Sequence, residues 1–110
     1  MNVYDTANKL ASEIKNSPEY IEYKKIKEYI NANSGLKDKV KEFEKARYEA
    51  QIEVMQNGNC DTEKVKHVQT LYSELLKNDQ MKKYFDAELK FNLLLTDVNK
   101  IIGESVKDVM

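Results

Sequence analysis

Between residues 80 and 102, apolar side chains return every three or four residues without interruption, at Met81, Tyr84, Phe85, Leu89, Phe91, Leu94, Leu95, Val98, Ile101 and Ile102. That spacing is the 3.6-residue period of an α-helix, whereas a strand alternates every second residue and rarely passes about ten residues. The apolar positions cover more than one side of the helix, so they require more than one packing neighbour. Gly103 either ends this helix or lies inside it at a cost of about 1 kcal/mol against alanine, with the helix then running toward Val109.

Length turns this helix into an argument about assembly. At 1.5 Å per residue it measures roughly 35 Å if it stops at Ile102 and about 43 Å if it reaches Asp108. A compact domain of 110 residues has a radius of gyration near 13 Å, hence a diameter of about 34 Å. A helix that is apolar along its whole length therefore projects beyond the core of one chain unless another chain covers it. Self-association is expected.

The remaining chain is also helical in pattern, and it has only 3 glycines and 1 proline to interrupt it. Val3, Ala7, Leu10, Ala11 and Ile14 place a first helix at residues 3–15. Ser17 is suited to cap a second helix whose first position is Pro18, where the missing N–H costs nothing. That helix carries Tyr23, Ile26, Tyr29 and Ile30 against Lys24, Lys25, Lys27 and Glu28, and ends in the turn at residues 31–35. A third helix from residue 36 to about 56 has Leu36, Val40, Phe43, Ala50 and Val54 at 4,3 spacing, with Arg47 in the missing seam position. The loop at residues 57–61 joins a glycine suited to a helix end with an aspartate suited to a cap. A fourth helix then spans residues 62 to about 77, with Val65, Val68, Leu71, Tyr72, Leu75 and Leu76 inward and Asn78-Asp79 between it and the last helix. These readings predict an all-α fold of about five helices, one domain over residues 1–110, assembling as a dimer or higher oligomer.

Charge excludes several classes of function. The 18 basic and 19 acidic residues leave a net charge of −1, so no global field draws the chain to nucleic acid or an anionic membrane. No apolar run suits a signal peptide or membrane span, and a cytoplasmic location is expected. The single cysteine, Cys60, agrees with a reducing compartment.

The opening Val3-Tyr4-Asp5-Thr6-Ala7-Asn8-Lys9-Leu10, the helix start Ser17-Pro18-Glu19-Tyr20, and Asp97-Val98-Asn99-Lys100-Ile101-Ile102 resemble the YlbF/YmcA-like family of small bacterial helical proteins, in particular its YheA-type branch. The resemblance spans nearly the whole chain and rests on helix-packing patterns. It implies a helical bundle that dimerises or forms larger oligomers in the cytoplasm of Gram-positive bacteria. Some relatives are adaptor-like regulators of competence, sporulation, biofilm formation and RNA processing, and can bind an iron–sulfur cluster through cysteines. Cys60 alone cannot supply four thiolates from one chain, so no cofactor is expected.

Chemistry-bearing groups are sparse. Glu63 and His67 stand four apart on the fourth helix and could face one metal, but two ligands are not a site and a surface pair at helical spacing is the simpler reading. The one histidine would have to serve every nucleophile–base scheme, and Asp38 and Glu42 read as solvated charge. No metal site and no catalytic site are expected. Tyr20, Tyr23, Lys24, Lys25, Lys27 and Tyr29 have the composition of a single-strand platform, yet Tyr23 and Tyr29 can pack inward with Ile26 and Ile30 while the lysines stay wet. Cys60 reads as an ordinary loop thiol, with a redox-sensitive or intermolecular role as the alternative. Arg47 either snorkels between apolar neighbours or reaches a carboxylate on a facing helix and fixes register; a register or rim role is favoured, because an unpaired guanidinium in a dry seam is costly.

The expected protein is thus non-enzymatic and self-associating, with Phe43, Arg47, Phe91, Leu95, Val98 and Ile102 as the core or self-association seam. A homo-oligomer is the expected partner state and a regulatory protein a second partner; membrane contact is not expected. An RNA-associated or RNA-processing adaptor, using the basic and aromatic face of the second helix, is the alternative function.

Overall fold

The computed structural model of the chain describes residues 2–110. Among these residues there are five helices and no strand: α1 (Val3–Lys15), α2 (Pro18–Asn31), α3 (Ser34–Asn57), α4 (Thr62–Leu75) and α5 (Asp79–Val106).

Local side-chain chemistry sets most of the boundaries. The Asn2 side chain accepts the Asp5 N–H at 2.9 Å and starts α1. Ser17 joins α1 to α2: its hydroxyl donates to the Ile14 carbonyl at 2.6 Å and accepts the Tyr20 N–H at 3.2 Å, with Pro18 following as the first helical residue. Asn33 accepts from the Leu36 N–H at 3.2 Å, so α3 begins at Ser34 and takes Gly35 into its first turn, two residues earlier than the turn-forming composition of residues 31–35 predicts. Gly58 ends α3 at φ 80°, a left-handed conformation that an L side chain rarely adopts. Asp61 caps α4 through the Glu63 N–H at 2.8 Å. Asn78 accepts from the Gln80 N–H at 2.8 Å and opens α5. Helix α4 stops at Leu75, two residues before the sequence pattern does. Of the two alternatives at Gly103 the structure takes the second: the glycine is interior, and α5 runs 28 residues, about 42 Å.

The chain forms two compact units. One comprises the residues up to Lys27 together with Tyr84–Met110; the other is Glu28–Lys83. In the first, Ile26, Tyr84 and Ala87 are buried. Around them the rings of Tyr20 and Tyr23 lie 5.9 and 5.6 Å from that of Phe91, and Tyr23 lies 5.8 Å from Tyr84. These separations are those of ordinary aromatic pairs, each adding about 0.5–1.5 kcal/mol beyond area burial. The Tyr23 and Tyr84 hydroxyls both donate to Oε2 of Glu88, at 3.4 and 3.5 Å, so the buried phenol keeps a polar partner. In the second unit α3 and α4 form a helical hairpin, and Ile30, Val40, Phe43, Leu75 and Met81 are buried. Phe43 of α3 meets Tyr72 of α4 with ring centroids 6.0 Å apart.

Candidate functional site

The seam residues divide between the two units. Phe43 is buried in the α3–α4 hairpin, and Arg47 is half-buried one turn on, its guanidinium 5.0 Å from the centre of the Phe43 ring. Neither expectation for Arg47 included this stacking, although the i,i+4 spacing of an aromatic and an arginine signals it. In the other unit Phe91, Leu95 and Val98 are half-buried, and Ile102 is exposed.

The four α5 positions belong to one stripe. Tyr84, Ala87, Phe91, Leu94, Val98 and Ile101 follow one another at spacings of three and four, with Leu95 and Ile102 alongside. Burial fades along it: Tyr84 is 1% exposed and Ala87 buried, Phe91 through Val98 are half-buried, and Ile101 and Ile102 are 70% and 51% exposed. Helix α1 repeats the pattern in reverse order, with Ile14 and Leu10 half-buried and Val3 and Tyr4 each 80% exposed; it contains no buried residue. Each stripe therefore runs from a covered to an open end within the same unit.

A second open surface lies on the α3–α4 hairpin. It is a groove of about 610 Å³ between Ala50, Val54 and Met55 of α3 and Val65 and Val68 of α4, with Arg47, Gln51 and Gln69 at its edges and Cys60 at the loop end. Beside Cys60, the Glu53 carboxylate ties the loop to both helices. It receives Lys64 Nζ at 2.7 Å and the Asp61 N–H at 3.2 Å, and the Cys60 thiol lies 3.9 Å away. The hydrogen bond from Lys64 holds the Glu53 carboxyl below its ordinary range. Removal from water, and then the negative charge of Glu53, push the Cys60 thiol up.

A neutral thiol is a poor nucleophile, so alkylation of Cys60 by iodoacetamide at pH 8 should be slower than that of a cysteine in an unstructured peptide. Glu53→Gln removes the nearby negative charge and should move the pH midpoint of alkylation down; an unchanged midpoint would mean that the carboxylate does not act on the thiol. The linkage to stability has two signs. Protonating Glu53 costs stability as pH falls through its lowered folded value, and ionising Cys60 costs stability as pH rises above the ordinary thiol value.

The other sequence candidates remain apart. His67 and Glu63 are exposed on α4, and Asp38 and Glu42 are exposed on α3. Among the described residues no three His, Cys, Asp or Glu side chains are grouped to hold a metal ion. With one thiol, the donor set does not fit a cysteine-ligated cluster within a single chain. On α2, Tyr20 and Tyr23 turn their rings onto Phe91 while Lys24, Lys25 and Lys27 stay exposed. Lys27 Nζ sits 4.9 Å from the Tyr23 ring centre. Tyr29 does not pack inward as its spacing suggests; it is 47% exposed. The ring cluster of Tyr20, Tyr23, Tyr84, Phe85 and Phe91 went unrecognised in the sequence, where the recurrence of Tyr84 and Phe91 seven residues apart was its signal.

Among the described residues no helix is long and apolar enough to cross a membrane. The protein of unknown function DUF964 from Bacillus stearothermophilus shares the fold, with a TM-score of 0.81 over 97% of this chain and 94% of that one, at 11% identity. A UPF0342 protein of Desulfitobacterium hafniense is 33% identical over 110 residues, covering 100% of this chain and 89% of the relative. A UPF0342 protein of Halothermothrix orenii is 37% identical over 103 residues, covering 93% of this chain and 86% of the relative. The family model described as "Control of competence regulator ComK, YlbF/YmcA" matches residues 3–107. With its five-helix fold and these relatives, the chain belongs to the YlbF/YmcA family and stands with its UPF0342 proteins.

Proposed function

We propose that this chain is a non-enzymatic, self-associating helical protein of the cytoplasm, acting as a regulatory adaptor that offers apolar helix faces to its own copies and to a regulatory protein partner. The observation that carries the reading is the fading burial of the α5 stripe. A helix whose apolar face is covered at Tyr84 and open at Ile101 and Ile102 leaves surface that water solvates poorly, and the open end of α1 adds Val3 and Tyr4. Phe91, Leu95 and Val98 then support this surface from beneath, and Ile102 lies on it. The family description, which names control of a regulator and no reaction, supports an adaptor over an enzyme.

Light scattering of the purified protein across a wide dilution range, with and without reductant, tests this. A stable multiple of 12.8 kDa that ignores reductant is expected, because helix packing and not Cys60 holds the copies together. A monomer at every concentration overturns the proposal. The packing of Tyr20 and Tyr23 against Phe91 weighs against the RNA-associated alternative, since it takes two rings from the α2 platform. Salt-sensitive retention of a single-stranded oligonucleotide would restore that alternative.

A further inference from the structure

Asn57-Gly58 is the only place in the sequence where glycine follows asparagine. The pair stands where α3 ends: Asn57 is the last helical residue and is exposed, and Gly58 follows at φ 80° and ψ −16°. Glycine leaves the backbone nitrogen after Asn57 without a side chain beside it, and a Cβ at Gly58 would meet no other atom within 4 Å. Neither its own residue nor a neighbour crowds the junction. One hydrogen bond restrains it: the Gly58 N–H donates to the Val54 carbonyl at 2.8 Å, which keeps the proton on the nitrogen and holds the peptide in helical register. Such bonds at helix ends open far more often than those in the middle.

We propose that Asn57 is a site of spontaneous deamidation, a slow chemical modification of the α3–α4 loop whose rate is set by opening of the Gly58–Val54 hydrogen bond. Once the bond opens, the Gly58 nitrogen loses its proton to solvent base and attacks Cγ of Asn57. The new N–Cγ bond closes a five-membered imide as the Cγ–Nδ2 bond breaks, and the side-chain nitrogen leaves as ammonia with a proton from water. Water then opens the imide at either carbonyl. Breaking the N–Cγ bond leaves aspartate at this position; breaking the bond to the backbone carbonyl leaves isoaspartate, whose chain runs through the side chain. Net, one water is consumed and one ammonia released, and nothing is oxidised or reduced. Both products put a carboxylate at the C-terminal end of α3, where the helix dipole disfavours it, and one turn after Glu53. Isoaspartate also adds a carbon to the backbone between Val54 and Gly58, so the hydrogen bond that ends the helix cannot re-form in register. The Glu53 clasp on Lys64 and on the Asp61 N–H, at 2.7 and 3.2 Å, holds the same loop and restrains the opening.

Ageing the full chain in mildly alkaline buffer with reductant, beside a synthetic peptide of residues 54–61, tests the site. Peptide mapping by mass spectrometry, with fragmentation that separates aspartate from isoaspartate, follows both samples. Asn57 is expected to convert before any other asparagine, to both products, about three- to tenfold more slowly than in the peptide. Asn57→Gln should abolish the mass gain. Lys64→Met loosens the clasp and leaves the Glu53 charge in place; Lys64 is half exposed, so the helical signal should stay intact while conversion quickens about two- to fivefold. A chain unchanged at Asn57 after the peptide has fully converted, or one that converts first at another asparagine, overturns the site. Equal rates in chain and peptide overturn control by the hydrogen bond, and equal rates in Lys64→Met and wild type overturn control by the clasp.

Discussion

Tyr84→Ala is expected to cost about 3–5 kcal/mol of stability, the range for deleting a buried aromatic ring from a packed core. Tyr84 is 1% exposed, faces Tyr23 at 5.8 Å and Phe85 at 5.3 Å, and donates to Glu88. Removing the ring leaves a cavity that α2 and α5 cannot close without moving their backbones. Since a domain of this size has only about 5–15 kcal/mol in total, the variant should be largely unfolded at modest denaturant concentration. Tyr84→Phe isolates the hydroxyl. Its bond to Glu88 is long at 3.5 Å, and its loss should cost no more than about 1 kcal/mol. Chemical denaturation followed by circular dichroism checks both. If the 110 residues act as one domain, each variant should keep a single transition. A midpoint for Tyr84→Ala close to that of the wild type would show that the ring cluster contributes little.

The second large effect concerns assembly. Ile101→Asp combined with Ile102→Asp should leave the helical signal unchanged and reduce the native mass, in the limit to 12.8 kDa. Both side chains are more than half exposed, so the aspartates cost the folded monomer little; at a dry contact between chains, two charges per copy face a desolvation penalty of several kcal/mol. Leu95→Asp is different. Leu95 is half-buried higher on the same stripe, and a charge there should damage the fold and the assembly together. A double variant at Ile101 and Ile102 that keeps its oligomeric mass would remove the open end of α5 from the interface, whatever became of Leu95.

Much of this architecture is written locally. The 3.6-residue apolar period, Ser17-Pro18, Gly58 and Asp61 each act within a turn or two of their own position, so sequence alone determines the five helices and most of their ends. The start of α3 is misplaced because Asn33, read as a turn former, captures the Leu36 N–H and draws Gly35 into the helix; at Gly103, where both alternatives stood open, α5 continues through the glycine. Burial is another matter. Tyr84 and Ile102 occupy equivalent places on one apolar stripe and have the same sequence signal, yet one is sealed by α2 and the other is open. Tyr23 and Tyr29 are likewise alike in composition and spacing, yet Tyr23 sets its ring against Phe91 while Tyr29 is 47% exposed. The stacking of Arg47 on Phe43 and the closing of the hairpin loop by Glu53 need side chains brought to one place with fixed geometry. Periodicity specifies which face of a helix is apolar; which part of that face is covered depends on residues distant in the chain, and only the tertiary structure decided it.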